Sequence, residues 1–74
     1  MQVEVGQKYS VHPQFGRLSI EKTNEQIGQV VYVHPRMRYA VLEFEGVDGN
    51  PRECFQLYEL TKKNFAGYGK RKRL

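Results

Sequence analysis

The sequence predicts an all-β domain, and three observations predict it. The runs "IGQVVYVH" and "RYAVLEFE" are dense in β-branched and aromatic residues, which suit a pleated, half-buried surface. No window repeats apolar residues at i, i+3, i+4 and i+7 long enough for a stable helix. Turn formers crowd the gaps between apolar runs, most densely in "GVDGNP". At 74 residues the chain makes one domain, which buries only about 60% of the surface its unfolded form exposes.

The elements follow in order. "VEVGQKYSV" reads as a first strand bent at Gly6, and "HPQFGRLSIEKTNEQ" as a long irregular excursion. If "PRMR" is a four-residue connection, His34 lies opposite Tyr39. Pairing then continues as Val33 with Ala40, Tyr32 with Val41, Val31 with Leu42 and Val30 with Glu43. That register gives a core face of Val31, Val33, Ala40, Leu42 and Phe44. The opposite face carries Val30, Tyr32, His34, Tyr39, Val41 and Glu43. "RECFQL" adds a strand that sends Phe55 and Leu57 toward the core, and "YELTKKN" holds one 3₁₀ turn before a short last strand. This is the element order of a small five-stranded SH3-like barrel over residues 1–61, with a basic tail over 62–74 whose start supplies the last strand.

"GQVVYVHPRMRYAVLEFEG" followed by "RECFQLYEL" also resembles a pattern found in small SH3-like barrel proteins of Gram-positive bacteria and their phages and mobile elements. The resemblance covers about residues 27–60. It is carried by Gly28, His34, Pro35, Arg38, Tyr39, Glu43, Phe44, Arg52, Glu53, Phe55 and Glu59, while Cys54 stands where serine is common. It implies a fold and no particular activity.

Charge divides unevenly along the chain. Residues 62–74 hold Lys62, Lys63, Lys70, Arg71, Lys72 and Arg73 with no acid, whereas residues 1–61 hold six Lys or Arg against eight Asp or Glu. A body of net −2 therefore carries the whole basic excess of the protein in its tail. Phe65 and Tyr68 interleave with the glycines of that tail and offer stacking faces beside a phosphate-binding block, Lys70 to Arg73.

Catalytic chemistry finds no footing: there is no Gly-rich phosphate loop, no GxSxG and no HExxH, so no enzyme, cofactor or small-molecule substrate is expected. His12, His34 and Cys54 lie on separate segments without ligand spacing, so no metal is expected, and Cys54 reads as a small, half-buried apolar residue. A single cysteine, a polar N-terminus and no run near 18 apolar residues predict a cytoplasmic protein without membrane association.

What remains is binding. Arg36, Arg38, Tyr32, His34 and Tyr39 gather at the hairpin tip, on a face the register excludes from the core. Met37 at the same tip gains nothing from staying in water. Two functions follow. One is a nucleic-acid-binding module, for DNA or RNA, whose tail and tip arginines grip phosphates while Tyr32, Tyr39, Phe65 or Tyr68 stack on bases. The other is a protein-binding adaptor or inhibitor of phage or mobile-element origin. It would block a host nucleic-acid-binding defence protein, and its acids Glu43, Glu45 and Glu53 would meet basic residues there.

Overall fold

Alternation of buried and half-buried residues marks two of the strands. In "QKYSV" the residues Gln7, Tyr9 and Val11 turn inward, and in "YAVLE" Ala40 and Leu42 do the same. The computed structural model describes residues 3–14, 24–46 and 49–69, with strands β1 (Gln7–Val11), β2 (Gln26–Val33), β3 (Tyr39–Glu43), β4 (Arg52–Gln56) and β5 (Phe65–Tyr68). All pairings are antiparallel, and they join the strands into one sheet of order β4-β3-β2-β1-β5. Two 3₁₀ turns, Leu57–Glu59 and Lys62–Asn64, occupy the stretch where one was expected. Residues 15–23, the greater part of the expected excursion, lie outside the described residues. Among the described residues no helix is long and apolar enough to cross a membrane.

One cluster on one face of the sheet forms the core: Val3, Tyr9, Val11, Val30, Ala40, Leu42, Phe44, Phe55 and Leu60, with Val33 and Leu57 packed against its margin. Phe44 stacks at a tilt on Phe55, ring centroids 6.2 Å apart, and reaches across to β2 at Gly28. A Cβ at Gly28 would stand 2.6 Å and 2.8 Å from two Phe44 ring carbons, so glycine here makes room for the ring.

The expected register holds at the tip and fails below it. Val33 pairs with Ala40 and Tyr32 with Val41, but Val30 rather than Val31 then faces Leu42, and Gln29 rather than Val30 faces Glu43. Val31 is the extra residue of a β-bulge. It is only half-buried, and Val30 takes the core position assigned to it. The physical reason is a conflict of phase. Continuing inward from Val33 in strict alternation would bury Gln29 against the core, whereas one unpaired residue lets Gly28 and Val30 point in and Gln29 point out.

The N-terminal segment is tied to β1 through one buried amide. The Gln7 side-chain Oε1 accepts the Glu4 backbone N–H at 2.8 Å and the Tyr9 hydroxyl at 2.9 Å. Gly6, at φ 101, supplies the left-handed turn that makes this possible, and it also donates its N–H to Val30 O. Burial pushes the Tyr9 hydroxyl above its ordinary pKa, with Tyr68 and Glu4 acting in the same direction.

Candidate nucleic-acid interface

The hairpin tip is a fixed turn. His34 O accepts the Met37 N–H at 2.8 Å across a turn whose second residue is Pro35, pre-set to the φ that position requires. His34 Nδ1 accepts the Arg36 N–H at 3.0 Å, so the imidazole braces the loop from within. Met37 adopts φ 58, a left-handed conformation that is sterically costly for a residue with a Cβ. His34 closes the ladder by donating its N–H to Tyr39 O at 2.9 Å.

Beneath the turn, the face opposite the core carries an aromatic strip. The His34 and Tyr39 rings lie 4.9 Å apart and the Tyr39 and Tyr32 rings 6.2 Å apart, all tilted. Cross-strand pairing extends the strip onto β4, where Cys54 faces Val41 and Gln56 faces Tyr39. Tyr32 is 44% and Met37 42% exposed, and Arg36 and Arg38 stand in solvent beside them. The structure thus brings the Tyr32, Tyr39 and His34 rings together, with Arg36 and Arg38 on the adjoining turn. Cys54 departs from expectation: it is exposed, on the face of the edge strand β4 opposite the buried Phe55.

Phe65 and Tyr68 form a separate group. They lie on β5, two strands away from β2, which is about 10 Å at ordinary strand spacing. Phe65 packs edge-on against the buried Tyr9 at 5.7 Å and against Tyr68 at 5.4 Å, so its ring helps to hold the sheet edge. Tyr68 is 65% exposed. Lys70, Arg71, Lys72 and Arg73 lie outside the described residues.

At the end of the outer face away from the tip lies an open groove of about 580 Å³, lined by Lys8, Glu25, Gln29, Glu43 and Glu45 among others. The sequence places Glu53 in one acidic group with Glu43 and Glu45. Glu53 in fact alternates to the other side of β4 and holds the Gln14 N–H with both carboxylate oxygens, at 3.0 and 3.2 Å. Glu25 lines the groove with Glu43 and Glu45 instead, brought to it by the pairing of β2 with β3. Glu43 is also bonded to Arg52 across the strands at 3.0 Å, an exposed pair of small energetic weight. The outer face therefore carries arginines at the tip and, at the opposite end, three carboxylates accompanied by Lys8 and by Arg52 on Glu43. Among the described residues no three His, Cys, Asp or Glu side chains converge as metal ligands do. No protein-family model, curated protein or solved structure matches the chain.

Proposed function

We propose that the chain is a non-enzymatic module that binds nucleic acid through its hairpin tip, assisted by the basic tail Lys70 to Arg73. The observation that carries this reading is the strip of Tyr32, Tyr39 and His34 on the face opposite the core, beside exposed Arg36 and Arg38. Rings supply stacking, guanidinium groups supply phosphate contacts, and a braced turn lowers the entropy lost on binding. The same reading takes the sheet as rolled into an SH3-like barrel. It is supported by the strand order and by the 3₁₀ turns ahead of the last strand.

The test is to measure binding of a mixed pool of oligonucleotides at low salt to the wild-type chain and to the double variant Arg36→Ala, Arg38→Ala. Both arginines are exposed turn residues, so the variant keeps its stability within about 0.5 kcal/mol while its affinity falls at least tenfold. A folded variant with undiminished affinity overturns the role of the tip.

A second reading is favoured by the groove that Glu25, Glu43 and Glu45 line. An acidic groove repels phosphate and suits a basic protein surface, as an inhibitor of a host nucleic-acid-binding protein would require. On that reading oligonucleotides do not bind at low salt, and one protein is retained stoichiometrically at moderate salt.

A further inference from the structure

Resting on the nucleic-acid reading, we infer that the ligand is a single strand. Its bases lie on the outer face of β2, β3 and β4 at the tip end, crossing the protein strands rather than running along them. Three features of the fold point this way.

The tip is not built to enter a duplex. A major groove about 8.5 Å deep admits a two-stranded β-ribbon, but only one that projects from its domain. Here β4 flanks β3 down to the turn: Gln56 pairs with Tyr39, and Leu57 donates its N–H to Arg38 O at 3.5 Å. Only Pro35 to Met37 stand clear, and they are folded into a closed turn.

The outer face has the chemistry of unstacked bases. Tyr32, Val41 and Cys54 form one cross-strand row, with His34, Tyr39 and Gln56 in the next, toward the tip. These rows offer aromatic rings, an aliphatic side chain, an amide and a thiol, while the arginines sit at one border. A duplex buries its base faces in its own stack and would leave these rings against phosphate and sugar. A single strand turns its bases outward and can lay them on the rings.

Charge then sets the direction. A strand running along β2 and β3 away from the tip would carry its phosphates over a groove where Glu25, Glu43 and Glu45 outnumber Lys8, with Arg52 offsetting Glu43 alone. A strand crossing at the tip end keeps its backbone beside Arg36 and Arg38 and avoids those carboxylates.

The experiment uses the full chain and one 12-nucleotide sequence in four forms: single-stranded DNA, single-stranded RNA and the blunt duplex of each, titrated at low salt by fluorescence anisotropy. The expected result is at least tenfold tighter binding of the single strands than of either duplex. Tyr32→Ala should weaken single-strand binding about 5- to 150-fold, the range for loss of one stacked base, while Tyr32→Phe retains it. Duplex binding as tight as single-strand binding overturns the inference and leaves the nucleic-acid reading standing, as does a folded Tyr32→Ala variant with unchanged affinity. Absence of binding in all four forms overturns both. The comparison of strands needs no variant, so it decides the matter even if Tyr32→Ala does not fold.

Discussion

Gly28→Ala is the sharpest probe of how the core is assembled, because two effects of opposite sign meet at that position. No left-handed backbone is imposed on Gly28, so alanine can adopt its conformation. On chain entropy alone the substitution should then stabilise the protein by about 0.4 to 1 kcal/mol. Against this, the new methyl would sit 2.6 Å from one Phe44 ring carbon and 2.8 Å from another, where contact begins near 3.5 Å. Phe44 is 1% exposed and already leans on Phe55, so any shift of its ring must disturb that contact. Overpacking of this kind costs about 1 to 3 kcal/mol, which outweighs the entropic gain. Urea unfolding should show Gly28→Ala destabilised, with an unchanged m-value. Phe44→Ala alone removes a buried ring and should cost about 3 to 5 kcal/mol, so the cycle is better closed with Phe44→Leu, which leaves a folded reference. In that background Gly28→Ala should become neutral or stabilising. A stabilised Gly28→Ala in the wild-type background would refute the contact between β2 and the Phe44 ring, and with it the phase of β2 below the bulge.

Met37→Gly should raise stability by roughly 1 kcal/mol, because φ 58 is free of steric cost for glycine, and should weaken nucleic-acid binding by removing an exposed side chain from the tip. Urea midpoints and anisotropy report the two separately, and a destabilised Met37→Gly would mean that the side chain serves the fold. The folded chain holds the Tyr9 proton to higher pH than the unfolded chain does. Stability from this group is therefore full below about pH 10 and falls as pH rises above it. Unfolding midpoints between pH 9 and 11 should fall less steeply for Tyr9→Phe than for wild type, and parallel curves would assign the decline to other groups. Phe65→Ala should lower stability as well as any affinity, since the ring packs on both Tyr9 and Tyr68, whereas Tyr68→Ala, which removes the Phe65 contact of a side chain that is 65% exposed, should lower the urea midpoint less.

Local pattern carried most of the fold into the sequence. Strand identity followed from β-branched and aromatic runs, and the tip register from a four-residue connection bounded by His34 and Tyr39. The bulge at Val31 was legible only as a contradiction, since strict alternation inward from Val33 requires Gln29 in the core, and the consecutive valines hide the change of phase. Leu60 and Tyr9 were not picked out as core residues because their burial depends on how distant segments pack, Leu60 following a 3₁₀ turn and Tyr9 lying under Phe65. The site divided in the same way. The aromatic and basic residues of one hairpin are neighbours in sequence and could be read together, whereas Glu25 reaches Glu43 and Glu45 only through the β2–β3 pairing. Phe65 looked like a free stacking face between glycines until β5 was paired with β1, which turned the ring onto Tyr9.

The claim that this chain binds nucleic acid by a combination of tip and tail is tested most directly by the salt dependence of its affinity for a single-stranded oligonucleotide, measured for the full chain and for a chain ending at Gly69. Removing residues 70–74 deletes four of the six positive charges of the tail. With about 0.7 counterion released per phosphate neutralised on a single strand, the full chain should show a slope of log affinity against log salt of about −3 to −4. The shortened chain should still fold, with a slope smaller by about 2 to 3. Absence of binding at low salt, or identical slopes for the two chains, would contradict the account.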